Sequence, residues 1–244
     1  MALILHDLDT KANTAVAHYW RTLEQQGQRQ RAGIADRGGR AAVTGGRQMD
    51  GFAAMVRDVL IDNGLDDRFV VTRGGLSLPG FFRATKSWDM LVVRGGLLVA
   101  ALEFKSQGGP SFGSDLHHHT EEALSAARDF WAAYGARAFG DSQPRPWLGR
   151  LMLVEDCPGS TSPVALEETS FEVRPEFRGT SHLERYELLL RRLHLERHYD
   201  GLALVTANAT TGPQGEHKEP AADLTLRRML ASLAGHVAAQ QAGS

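Results

Sequence analysis

A chain of 244 residues with a formal net charge of −2 is long enough to bury a substantial core without covalent staples. Its lone cysteine, Cys157, excludes an internal disulfide framework and a cysteine-rich zinc site, and points to a reducing cytoplasm. The near-neutral charge argues mildly against nucleic acid as a partner, although a basic groove and an acidic outer face can cancel in the sum.

The opening residues, Met1 to Asp7, have no cationic n-region and only a short apolar run, so no secretory signal is expected. No apolar stretch approaches the ~18 residues that span a bilayer, so no membrane partner is expected. Val16, Tyr19, Trp20 and Leu23 recur at helical spacing and predict an amphipathic helix over Leu8 to Gln26. Gly27 to Gln48 holds five arginines (Arg29, Arg31, Arg37, Arg40, Arg47) against one acid, Asp36, with almost no large aliphatics, and reads as a loop or arm. A second helix is predicted from about Asp50 to Asn63, buried through Phe52, Met55, Val56, Val59 and Leu60.

From Arg68 the period changes to that of strands. Phe69-Val70-Val71 is strand-like, Gly74-Gly75 and Pro79-Gly80 mark turns, and Trp88 to Val93 and Leu97 to Lys105 form a predicted hairpin around Gly95-Gly96. A helix follows over about Asp115 to Ala136, then a buried strand over Leu148 to Val154 and an irregular insertion over Cys157 to Arg178. The chain closes with a helix over Ser181 to His198, a strand over Gly201 to Thr206, a polar loop and a helix over about Asp223 to Gln240. This order predicts an α/β fold, a mixed β-sheet covered by helices. No glycine-rich phosphate motif follows the first strand, which disfavours a nucleotide-binding fold.

Three polar residues sit where a plain buried hairpin would not place them: Asp89, Glu103 and Lys105. Strand alternation puts Glu103 and Lys105 on one face and Leu102 and Phe104 on the other. Folding at Gly95-Gly96 pairs Arg94 with Leu97. Counting outward then sets Asp89 opposite Leu102, and a change of one residue in the loop sets it opposite Glu103. In either register the two carboxylates come within about one residue of each other. Mg²⁺ takes oxygen ligands, keeps several waters and is held through one or two carboxylates. Such an ion polarises a phosphodiester and activates water, and a neighbouring lysine can orient that water or neutralise developing charge. The competing structural reading is a Glu/Lys pair flanking a buried strand, with Asp89 at the strand start. The apolar flanks weigh against it, because an isolated charge there is expensive to bury.

Asp89…Glu103-Phe-Lys105 resembles the PD-(D/E)xK nuclease signature, with Trp88 where the proline of the motif would stand. Several blocks more specifically resemble the XhoI-type restriction endonucleases: Gly-Gly-Arg47-Gln-Met-Asp50-Gly-Phe, Leu78-Pro-Gly-Phe-Phe-Arg-Ala-Thr-Lys86-Ser-Trp-Asp89, Glu103-Phe-Lys105-Ser-Gln-Gly-Gly-Pro-Ser111-Phe-Gly, Trp147-Leu-Gly-Arg-Leu-Met-Leu-Val-Glu-Asp156-Cys and Pro175-Glu-Phe-Arg178-Gly. The resemblance runs from about residue 40 to the C-terminus. It implies a restriction-endonuclease-like fold. With the helix and Arg/Gly-rich arm read above, the chain divides into an N-terminal part over 1–48, continuous with a nuclease domain over 49–244. It further implies a type II enzyme, a homodimer that cuts both strands of double-stranded DNA at a palindrome, 5′-CTCGAG-3′, with Mg²⁺, leaving 5′-phosphate ends. A cognate DNA methyltransferase and a bacterial-type cytoplasm go with that reading. Its rivals are another nuclease of the superfamily, such as a junction resolvase, and a non-catalytic DNA-binding protein on this fold.

Asp89 and Glu103 are then the metal ligands, with Asp50 as a third candidate, and Lys105 completes the catalytic trio. Asp50 also reads as an acid favoured near a helix N-terminus. Candidate DNA contacts are Arg37, Arg40 and Arg47 in the arm, Lys86 upstream of Asp89, and Ser106, Gln107 and Ser111 in the glycine-rich loop after Lys105. The loop equally suits a simple strand-to-helix connection with Ser114 or Asp115 as N-cap. His117-His118-His119 looks like a metal cluster, but consecutive helical side chains diverge, so a solvated face is expected.

Overall fold

In the computed structural model, residues 3–31, 47–167 and 170–242 are described; Arg37 and Arg40 lie outside them. The strands are β1 (Val70–Val71), β2 (Ser77–Pro79), β3 (Thr85–Ser87), β4 (Met90–Arg94), β5 (Leu97–Gln107), β6 (Trp147–Glu155) and β7 (Gly201–Ala207). The long helices are α1 (Leu8–Arg31), α2 (Asp50–Asp62), α3 (Phe112–Gly135), α4 (His182–Leu195) and α5 (Leu226–Ala242). A single helical turn, Pro158–Thr161, follows β6.

Five strands form one mixed sheet in the order β1-β4-β5-β6-β7, while β2 and β3 make a separate hairpin. The β1, β4 and β5 pairings are antiparallel, and β5, β6 and β7 run parallel. The parallel connections are made by helices, as such crossovers require. Both faces of the sheet are therefore covered. One apolar layer joins α1, α2 and α5 to Val92, Ala100, Leu102, Phe104, Leu151 and Val205. The other joins α3 and α4 to Leu91, Ala101, Leu148, Met152 and Leu204. A strand buried on both faces has little room for charge, which makes each charged side chain on β5 and β6 informative.

The β4–β5 hairpin turns through Gly95 and Gly96 at φ of 59° and 80°, the left-handed pair that a two-residue turn of this hand requires. Arg94 pairs with Leu97 as the turn predicts, but the register shifts between Val92 and Val93. Val93 pairs with Leu98 and Val92 with Ala100, so Val99 is an extra residue, a β-bulge. The bulge carries Met90 opposite Leu102 and hence Asp89 to the level of Glu103. The loop keeps its two residues; the one-residue step comes from within the strand.

The other departures from the predicted elements are local. Helix α1 continues beyond Gln26 to Arg31. Helix α3 begins at Phe112, because the Asp115 carboxylate accepts hydrogen bonds from Ser111 Oγ at 2.6 Å and Gln107 Nε2 at 2.9 Å instead of capping a helix. Helix α4 opens on a reciprocal cap in which Ser181 Oγ accepts from the Glu184 N–H and Glu184 accepts from the Ser181 N–H. Among the described residues no helix is long and apolar enough to cross a membrane.

Candidate active site

The site forms where charged residues of β5 and β6 share a face of the sheet. Parallel pairing places Glu103 beside Arg150 and Lys105 beside Met152. Glu103 and Arg150 are each 2% exposed. Arg150 Nη1 donates to Glu103 Oε2 at 2.9 Å, and the Tyr199 hydroxyl donates to the same oxygen at 3.2 Å. The other oxygen, Oε1, accepts from Lys86 Nζ, which reaches in from β3 across the Trp88 ring, 4.3 Å from its centroid. Burial alone would raise the Glu103 carboxyl, but the charges of Arg150, Lys86 and Lys105 bring it below the usual range.

Asp89 lies at the end of β4, and its Oδ2 accepts the Phe104 N–H at 2.7 Å. Although open to solvent on one side, the Asp89 carboxyl is crowded by protein. Desolvation raises its pKa, with the neighbouring Glu103 charge adding to the rise, against the Phe104 N–H and Lys105. Lys105 Nζ is held at 2.6 Å by Glu122 Oε1 on α3. The second Glu122 oxygen lies 3.4 Å from Arg150 Nη2 and 3.7 Å from His119 Nδ1. Burial would raise Glu122, but the contacts with His119 and Lys105 and the Arg150 charge hold it far below the ordinary carboxylate value.

Two carboxylates and three cations thus interlock, and Asp89 opens into a cleft of about 650 Å³ also lined by Arg47, Asp50, Arg57, Arg73 and Trp88. Asp50 therefore shares the Asp89 cleft; Arg73 Nη2 lies 3.9 Å from its carboxylate. Arg47, just before α2, is exposed and lines the same space. Lys86, expected to face phosphate, is engaged with Glu103 here. Ser106 accepts from Gln48 Nε2 at 3.3 Å. Gln107 is 3% exposed and donates to Asp115 and to the Gly108 carbonyl, while Ser111 is exposed with its hydroxyl on Asp115. The three consecutive histidines diverge: His117 faces an apolar groove between α3 and α4, and His118 and His119 face a different hollow beside Ser106 and Glu155.

Among the described residues no group of three or more His, Cys, Asp or Glu side chains is placed to hold a metal ion. Asp89 and Glu103 stand level on paired strands, a number of carboxylates that matches the habit of Mg²⁺, which takes one or two and completes its shell with water, and not that of structural zinc; here both Glu103 oxygens are engaged by Lys86, Arg150 and Tyr199.

Arg150, Glu122 and Tyr199 are not among the residues that the sequence pattern marks for the site. Arg150 carried a usable signal, since it is a lone cation inside the apolar run Trp147 to Val154. Glu122 and Tyr199 carried none, for both meet the site only through tertiary packing.

The network sets an acid response. The lowered pKa values of Glu103 and Glu122 mean that their ionised forms favour the fold. That stability is complete above their unfolded pKa and is lost as pH falls through the folded one. Asp89 works in the opposite sense, because its raised pKa makes protonation favourable to folding. The urea midpoint is expected to fall below about pH 4, and to fall less steeply in Glu122→Gln than in the parent. Equal acid slopes for the two proteins would remove Glu122 from the network.

A family model described as restriction endonuclease XhoI matches residues 28–219. Type II restriction enzyme BstVI of Geobacillus stearothermophilus is 49% identical over 212 residues, covering 85% of this chain and 94% of that enzyme. Type II restriction enzyme XhoI of Xanthomonas vasicola is 43% identical over 202 residues, covering 80% and 79%. Type II restriction enzyme AbrI of Azospirillum brasilense is 46% identical over 187 residues, covering 73% and 83%. No solved structure gives a significant match.

Proposed function

Because the chain belongs to the XhoI restriction endonuclease family, we propose that it hydrolyses double-stranded DNA at the palindrome 5′-CTCGAG-3′ with Mg²⁺ and leaves 5′-phosphate ends. The observation that carries the chemistry is the meeting of Asp89 and Glu103 at the end of an apolar hairpin, with Lys105 two residues beyond Glu103 on the same strand.

Asp89 and Glu103 would hold the ion, with Asp50 close by in the Asp89 cleft. When bound, Mg²⁺ supplies a polarised phosphoryl oxygen and a more acidic water. Lys105 orients the attacking water and offsets charge developing on the phosphate oxygens. Glu122 acts through Lys105 by fixing the ammonium at 2.6 Å. Arg150 and Tyr199 fix Glu103 from the sheet and from β7's approach, so the carboxylate is aimed before substrate arrives. Arg47 and Arg73 line the cleft around Asp89 and suit phosphate, whereas Arg57 is held bidentately by Asp67 at 2.6 Å; the arginines of the arm, Arg37 and Arg40, are proposed as further DNA contacts.

A palindromic target matches a two-fold homodimer in which each protomer cuts one strand. A methyltransferase that modifies the same site in the same cytoplasm would protect the host's DNA. The test uses plasmids with one or no CTCGAG site, in Mg²⁺ or in EDTA. One discrete cut is expected only when both site and metal are present; DNA left intact in every arm would refute the catalytic reading.

A further inference from the structure

The β2–β3 hairpin, from Ser77 to Ser87, ends in a tip that the catalytic network does not use. Phe81 and Phe82 stand 56% and 65% exposed, packed edge to face with ring centroids 5.0 Å apart. Two adjacent exposed aromatic rings forgo a large apolar burial, so their presentation calls for a partner.

The tip is held rigidly. Asp129 on α3, 2% exposed, accepts both the Phe81 and Phe82 N–H groups on Oδ1 at 2.9 and 2.7 Å. Its other oxygen pairs with Arg83 Nε at 3.2 Å. A Cβ on Gly80 would come within 2.6 Å of the Arg83 carbonyl and 2.7 Å of Asp129, so the loop closes only around glycine. The buried carboxylate is thereby neutralised, and the tip presents no uncompensated negative charge to a polyanion.

The tip is also near the chemistry. Phe82 precedes Lys86, the partner of Glu103, by four residues that bend at the tip before β3, so at most about 13 Å of chain separates them. Asp129 follows Glu122, the partner of Lys105, by seven residues on one helix, about 10 Å and nearly the same face. Both paths put the rings within about three to four base-pair steps of a phosphate at the site.

We propose that Phe81 and Phe82 form a preorganised aromatic wedge that presses against the bases of duplex DNA beside the scissile phosphate. This rests on the endonuclease reading above and adds a recognition element to it. Aromatic wedges work by partly unstacking a base step, and ring–base contact is the interaction a rigid phenyl pair supplies.

The test compares the parent with Phe81→Ala/Phe82→Ala, both rings being exposed so that the variant retains its melting temperature. The probe is a duplex that the parent cuts, carrying 2-aminopurine at each position in turn, with Ca²⁺ in place of Mg²⁺. The parent is expected to brighten the probe at one step within four base pairs of the cut. The variant is expected to leave it dark and to bind at least about tenfold more weakly. A folded variant that binds, brightens the probe and cuts as the parent does would overturn the wedge while leaving the endonuclease reading intact. Loss of self-association in sedimentation, with DNA affinity per protomer unchanged, would overturn it in favour of a subunit contact. A parent that cuts no DNA would overturn both.

Discussion

Replacing Glu103 by glutamine is expected to reduce single-turnover cleavage by about 10³-fold or more, the scale seen when one preorganised electrostatic group is removed from a reacting centre. The isosteric amide keeps the shape of the site but lacks the charge that holds an ion. DNA binding is expected to be retained or strengthened. Lys86, now neutralised by Glu103 at Oε1, would be left free to face the polyanion, while Arg150 stays buried beside Glu122. The measurement pairs cleavage in Mg²⁺ with fluorescence anisotropy of a labelled duplex in Ca²⁺. Cleavage within tenfold of the parent would remove Glu103 from the reaction. Loss of binding together with cleavage would make its role one of holding the fold.

Arg150→Ala is expected to be the most damaging single change to stability. It leaves the carboxylate of Glu103, 2% exposed, without its partner at 2.9 Å. Breaking a buried pair by deleting one member costs about 3–5 kcal/mol. For a chain of this size that lowers the melting temperature by on the order of 10 °C. Adding Glu103→Gln to Arg150→Ala is expected to recover part of the loss, because the stranded charge is gone, and the two costs should not add. Urea denaturation of the two singles and the double reads the coupling directly. Strict additivity would show that Lys86 and Tyr199 already satisfy Glu103 without Arg150.

Much of this architecture was legible beforehand because it follows from period. Alternation located β5, the apolar runs located β6 and β7, and helical spacing located α1, α2 and α4 within a few residues. The two glycines fixed the hairpin turn. What stayed hidden depends on partners distant along the chain. Arg150 meets Glu103 across 47 residues and Tyr199 meets it across 96, and no local pattern encodes either contact. The small β2–β3 hairpin also escaped notice, since only three residues pair on each side and its tip is organised by Asp129, 47 and 48 residues further on. The position of Lys86 just before Asp89 suggests a phosphate contact, yet its partner in the structure is Glu103.

The bulge at Val99 bears on how such sites are found in other chains. Both Val99 and Ala100 face the same apolar layer, so one of them interrupts an alternation that would otherwise run unbroken from Leu98 to Phe104. A chain lacking that one residue would still bring its glutamate level with its aspartate, on a flatter ribbon. The interval of thirteen residues between Asp89 and Glu103 is therefore an accident of strand geometry rather than a demand of the chemistry. A pattern that tolerates a single inserted or missing residue after the turn describes both ribbons, whereas one that insists on that count describes only the bulged one.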